Sequence, residues 1–133
     1  MWTSNIGSKV FTVIKAKATT KLQSKYPDIN FTTSDRVSSD PKFPTVYVKR
    51  MQGDERGQDL EGTSVNAILS SFQIEVTSNI SDTDAQEVAD VVADIMKSMR
   101  YQMMGEPIAE NTSSNTHRNV ARYQRIVGFG DTL

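Results

Sequence analysis

The stretch Phe72-Gln73-Ile74-Glu75-Val76-Thr77, followed by Ser81-Asp82-Thr83-Asp84 and the run Ala85 to Met99, changes its hydrophobic period once, and that change decides the fold. Its first six residues alternate strictly between apolar and polar, the spacing of a strand with one buried face and one wet or partner-facing face. At Ser81 a hydroxyl can cap a backbone N–H while a carboxylate three residues on reciprocates, so a helix opens there. Ala85, Val88, Ala89, Val92, Ile95, Met96 and Met99 then form one apolar stripe, with Gln86, Glu87, Asp90, Asp94 and Lys97 pointing away from it. Acids gather at the start of this helix and Lys97 and Arg100 at its end, which suits the helix dipole.

Working upstream, Phe11, Ile14, Ala18 and Leu22 fall at helical spacing between Ser4 and Ser24, and Ile6, Val10 and Val13 widen the stripe. That flank is more apolar than a solvated face needs, so Ile6, Val10 and Val13 are expected at a subunit contact. Pro27 ends the helix. Ile29-Asn30-Phe31 predicts a short strand, and the Ser, Asp and Pro residues from Ser34 to Pro41 a loop. Phe43 to Met51 predicts a strand with Val46 and Val48 on one face, Tyr47 and Lys49 on the other, and Pro44 at its beginning. From Gln52 to Ser64 the chain carries three glycines, the charges Asp54, Glu55, Arg56, Asp59 and Glu61, and only Leu60 to bury, which predicts a long mobile hairpin loop.

Downstream, Gly105 and Pro107 break the chain. His117 to Phe129 then alternates as a long strand, with Ala121, Tyr123 and Val127 on one side and Arg118, Arg122, Gln124 and Ile126 on the other. The order α-β-β-β-α-β-β predicts a single α+β domain spanning residues 1–133. Its sheet should be mainly antiparallel, of four to five strands, with both helices on one face.

A chain of 133 residues has room for one core and no separate catalytic module. It has no cysteine, which removes disulfides, thiolate metal sites and a cysteine nucleophile. His117 is the only histidine, so no His pair is available for zinc, and Ser113 and Ser114 lie near it only within a polar loop. Asp82 and Asp84 are accounted for by helix capping, since the glycine turn and closing Glu of a calcium loop do not follow. Gly53 and Gly57 lack the Lys-Ser or Lys-Thr pair of a phosphate loop. No apolar run approaches the roughly 20 residues a membrane helix needs, and no continuous apolar segment near the start forms a secretion signal. These features predict a non-enzymatic protein without cofactor or metal, used without export. The lysines before Asp28 and the arginines Arg118, Arg122 and Arg125 leave a second expectation open, a small nucleic-acid-binding module.

The segments Phe43-Pro44-Thr45-Val46-Tyr47-Val48, Phe72 to Thr77, Ile95-Met96-Lys97-Ser98-Met99-Arg100 and Ala121-Arg122-Tyr123-Gln124-Arg125-Ile126-Val127-Gly128 resemble the small tail-terminator and tail-completion proteins of long-tailed bacteriophages. The resemblance implies a sheet backed by two helices and a homo-oligomeric ring, usually of six subunits, that ends the tail tube and joins it to the head. Implied partners are other copies of the chain, the tail tube protein and the head connector. DNA would pass through the lumen without sequence-specific binding. Implied too are a place in the virion neck after synthesis in the host cytoplasm, and no membrane. Head-closure and adaptor proteins of the same neck are the alternative. The family has no catalytic residues to carry over. Interface contacts are expected from Ile6, Val10 and Val13, from Asp54, Glu55, Arg56, Asp59, Leu60 and Glu61 in the loop, from Gln73 and Glu75, and from Arg118, Arg122 and Arg125. Either the loop acids or the last-strand arginines could line the lumen.

Overall fold

The alternating segment lies at the centre of the sheet. A computed structural model describes residues 2–33, 42–58, 65–111, 116–128 and 131. After a 3₁₀ turn at Trp2–Asn5 come α1 (Ile6–Leu22), β1 (Asn30–Thr32), β2 (Thr45–Gln58), β3 (Val65–Ser78), α2 (Asp82–Ser98), β4 (Gln102–Met103), β5 (Ile108–Asn111) and β6 (His117–Gly128). The sheet runs β1-β2-β3-β6-β4, and β5 also pairs with β6. β3 is antiparallel to both β2 and β6, whereas β1 joins β2 in parallel, so the sheet is mixed. The expected antiparallel sheet is therefore correct for all but this short edge.

Two strands are longer or more broken than their sequence suggests. The expected loop at 52–64 begins later, because β2 continues to Gln58 opposite β3. Met51 faces Ser71 but Asp54 faces Leu69, so β2 holds one residue more than β3 between these pairs. Such a bulge shifts the two-residue period, and an alternation reading loses its phase there. Residues 59–64 lie outside the described residues. On the far side of β6, Gln102 and Met103 pair with Gln124 and Tyr123, while Ile108 to Asn111 pair with Val120 to His117. β4 and β5 are thus one edge strand interrupted by two extra residues, where Gly105 takes a positive φ of 74° and Pro107 cannot donate to a ladder.

The helices run antiparallel on one face of the sheet. Ile6, Val10, Ile14, Ala18 and Leu22 are all buried, a row at four-residue spacing along α1. This corrects the reading of Ile6 and Val10 as a surplus flank: they continue the core row of Ile14, Ala18 and Leu22 towards the start of α1, while Phe11 is only partly buried. Val13 is partly buried against the same core. α2 contributes Ala85, Val88, Ala89, Val92, Ile95 and Met96, and the sheet adds Val46, Val48, Phe72, Ile74, Val76, Ala121, Tyr123 and Val127.

α2 begins and ends on local hydrogen bonds. The Ser81 hydroxyl accepts from the Asp84 N–H. At the other end the Tyr101 N–H donates to the Met96 carbonyl (3.0 Å) and the Arg100 N–H to the Lys97 carbonyl (2.9 Å), with Arg100 at φ 66°. This is the two-bond closure that helices usually make with glycine in the left-handed position. Tyr101 then turns inward, its ring edge-on to Phe72 at 5.6 Å and its hydroxyl 2.9 Å from Ser70 Oγ.

Two stability changes of opposite sign are expected. Arg100→Gly removes the Cβ clash of a left-handed residue and should stabilise by about 1 kcal/mol. Phe72→Ala, which empties a core position only 1% exposed, should destabilise by about 3–5 kcal/mol. Urea unfolding of each variant against the wild type checks both.

Candidate functional site

The sheet face without helices is built from the residues that alternate with the core positions. Lys49 of β2, Gln73 of β3 and Arg122 of β6 stand in one row across three strands. The Arg122 Nε–H donates to Gln73 Oε1 at 3.0 Å. In the next rows Tyr47 opposes Glu75, and Arg118 reaches Glu75 diagonally at 3.7 Å. Towards the β2–β3 turn Leu69 lies between Asp54 of β2 and Ile126 of β6, and Ile126 is 55% exposed. Ile108, 59% exposed, stands beside Val120 on the same face. A partly ordered polar centre flanked by exposed aliphatic groups is a composition that binds protein surface.

The expected contact residues divide between this face and elsewhere. Gln73, Glu75, Arg118 and Arg122 are brought together on it. Arg125 is not: the β6 alternation turns it to the helix side, where it is 8% exposed. There its guanidinium donates to the Met99 carbonyl (3.1 Å) and pairs with Asp131 (3.3 Å), and Asp131 also accepts from the Gly128 N–H. Arg125 is therefore spent on holding the C-terminal turn. Ile6 and Val10 belong to the core. Asp54, Glu55 and Arg56 lie in the second half of β2 instead of a loop. Asp59, Leu60 and Glu61 fall outside the described residues.

A second polar cluster joins the helices. Lys25 Nζ lies 2.6 Å from Glu87 Oε2, and the Tyr26 hydroxyl lies 3.0 Å from that same oxygen and 3.1 Å from Asp84 Oδ1. The Lys25 and Tyr26 hydrogen bonds, in that order, hold the Glu87 carboxyl below its ordinary value, and the Glu87 contact raises Lys25. Burial first, then the two carboxylates, drives the Tyr26 hydroxyl upward. Sequence patterning misses this cluster because Tyr26 lies past the periodic part of α1 and pairs with residues about 60 positions away. His117 Nδ1 likewise meets Asp82 Oδ1 at 2.9 Å, tying the start of β6 to the start of α2.

Between α2 and β4 lies an open depression of about 490 Å³, lined by Asp94, Lys97, Arg100, Tyr101, Met103 and Tyr123 among others. Burial, followed by the charges of Asp90 and Asp94, pushes the Tyr123 hydroxyl up to about 12. Met103 of its lining is exposed, as is the next residue, Met104. Among the described residues no group of three His, Asp or Glu side chains is placed to hold a metal ion, and no helix is long and apolar enough to cross a membrane.

No protein-family model matches the chain, and no curated protein does. Among solved structures, a chain of the virion of a native gene transfer agent particle shares the fold. It superposes with a TM-score of 0.57 over 90% of this chain and 91% of its own length, at 16% identity.

The helix cluster gives a pH prediction. Because the folded Glu87 lies below its ordinary value of 4.5, its contribution is present above that pH and lost as pH falls through the folded value. Lys25 has the opposite sign: its contribution is present below its ordinary 10.5 and lost as pH rises through the raised folded value. Glu87→Gln should therefore lower stability at neutral pH while flattening its fall in acid, as read by urea unfolding across pH 3 to 7 (roughly the carboxylate range).

Proposed function

We propose that this chain is a structural subunit of a phage-like virion that works as a tail-terminator-type ring in the neck. The observation that carries the reading is the fold shared with a virion chain over nearly the whole length of both. The exposed aliphatic groups and engaged arginines on the helix-free face support it, since they suit a protein contact better than a solvated surface. In this reading copies of the chain assemble around the tail axis, and their shape ends tube growth and receives the head connector. DNA passes through the lumen without being read. The neck location follows from the role, and head-closure and adaptor rings are its nearest neighbours in kind.

The mechanism is burial of surface without chemistry. The helix-free face, with Ile126, Ile108 and Arg122, is the contact for the tail tube. Strand pairing on both sides of β3 keeps that face rigid, so little ordering cost is added on binding.

Mass measurement in solution over a range of concentration should show an oligomer that also attaches to tail tubes; a protein that stays monomeric throughout and never attaches would sink the reading. The double variant Arg122→Glu with Ile126→Asp should keep its fold and its oligomeric mass while losing about tenfold or more in tube affinity. Co-sedimentation with purified tubes measures that loss.

A further inference from the structure

We propose that Lys49, Gln73 and Arg122 form a receptor for one carboxylate, an Asp or Glu side chain of the tail tube protein that docks on the helix-free face. The proposal rests on the reading of that face as the tube contact and names the group it receives.

The row is built so that it shows only donors. Arg122 has no acceptor atom, so the atom its Nε–H meets at 3.0 Å must be the amide oxygen of Gln73. That bond fixes the orientation of the amide, whose two ends are otherwise hard to tell apart. The Gln73 NH2 group takes the other branch and meets no acceptor among the described residues. With its Nε–H spent on Gln73, Arg122 keeps the edge formed by its two terminal nitrogens, which takes a carboxylate through two parallel hydrogen bonds. Lys49 adds an ammonium with three donors. Both cations are exposed, and neither makes an ion pair among the described residues. Neighbouring strands lie about 4.8 Å apart, so Lys49 and Arg122 start about 10 Å from each other at the backbone. Both side chains are long enough to converge on a group seated over Gln73.

The neighbouring rows decide what that group belongs to. On one side stand Met51, Ser71 and Gln124, which carry no charge. On the other stand Tyr47, Glu75, Val120 and Ile108, and Glu75 lies 3.7 Å from Arg118. Glu110 is in register with the same arginine at the β5 edge, and Asp54 lies beyond the β2 bulge, opposite Leu69. Two of the three acids thus stand beside Arg118, and the unmatched positive charge falls on Lys49 and Arg122. A single carboxylate on an otherwise apolar surface fits this pattern: the acid meets the donors, while Val120 and the exposed Ile108 in the next row take aliphatic contact. A nucleic acid fits it badly, because a polyanion laid across the face would meet Glu75, Glu110 or Asp54 on either side of the row.

Gln73→Glu supplies the carboxylate from within the row. It keeps an oxygen for the Arg122 Nε–H and the size of the side chain, and circular dichroism and melting establish that it is folded. Co-sedimentation with purified tail tubes at roughly 0.05 and 0.5 M salt reads the effect, since that range shortens the screening length several-fold. Wild-type attachment should weaken about tenfold or more across the range, while Gln73→Glu should bind about tenfold less at low salt and lose most of the salt dependence. Lys49→Gln removes one cation at an exposed position, leaves the Arg122–Gln73 bond alone, and should weaken low-salt attachment about threefold or more. If the wild type attaches and both folded variants attach equally well with the same salt response, the receptor is overturned and the tube reading stands. Should Gln73→Glu not fold, Lys49→Gln decides in the same way. A wild type that never attaches overturns the tube reading, and the receptor with it. If Gln73→Glu lowers the oligomeric mass but leaves attachment of the assembled fraction unchanged, the row serves contacts between copies and the proposal falls. It falls too if Gln73→Glu loses salt-sensitive retention of duplex DNA while tube attachment is unchanged.

Discussion

Everything in this fold hangs on the pairing of β3 with β6. Twelve consecutive residue pairs join them, from Ala67 with Gly128 to Ser78 with His117, without a bulge. Because the register never slips, one face of both strands presents Ser70, Phe72, Ile74 and Val76 with Asn119, Ala121, Tyr123 and Arg125 to the helices, and the other presents Gln73, Glu75, Arg118 and Arg122 on the helix-free side. A shift of one residue would exchange the two sets and put four polar groups against Val88 and Val92. β2 and the β4–β5 edge are then added to a ladder whose sidedness is already settled.

That sidedness is why so much is legible in the sequence. Period-two alternation in β3 and β6 and the apolar stripe of α2 each state which residues face inward, and the Ser81 cap states where strand gives way to helix. Legibility ends where two constraints overlap. The β2 bulge breaks the phase at Met51, so a charged strand resembles a loop. Ile6 and Val10 look surplus because the adjacent apolar Phe11 leaves the phase of the buried row open in the sequence, and the row runs through Val10. Arg125 resembles a surface charge because its partners, the Met99 carbonyl and Asp131, are set by tertiary closure. On the candidate site, four of the expected contact residues share the helix-free face because they share a strand phase. The Lys25–Tyr26–Glu87 cluster leaves no local trace.

The buried polar groups are few and mark where elements are locked together. Ser70 with Tyr101 fixes the chain leaving α2 onto the core. Asn119 donates to Gln86 at 3.3 Å, tying β6 to α2, while its Oδ1 has no protein partner among the described residues. Arg125 secures the turn after β6. A buried cation is costly to strand, so this residue restricts how the last turn can be arranged more than it adds to stability. Together these contacts hold α2 over β6.

The broken edge strand has a consequence of its own. An open sheet margin is a template on which any other strand can pair, and a protein concentrated by assembly is most exposed to that error. Here the margin beside β6 is divided by Gly105 and Pro107, with its register displaced by two residues, and offers an incoming chain no continuous run of backbone groups. The opposite margin differs, because β1 covers only Thr45 to Tyr47 of a β2 that continues to Gln58. Strand addition is thus obstructed on one side of the sheet alone, and any extension of the ladder has a single direction in which to grow.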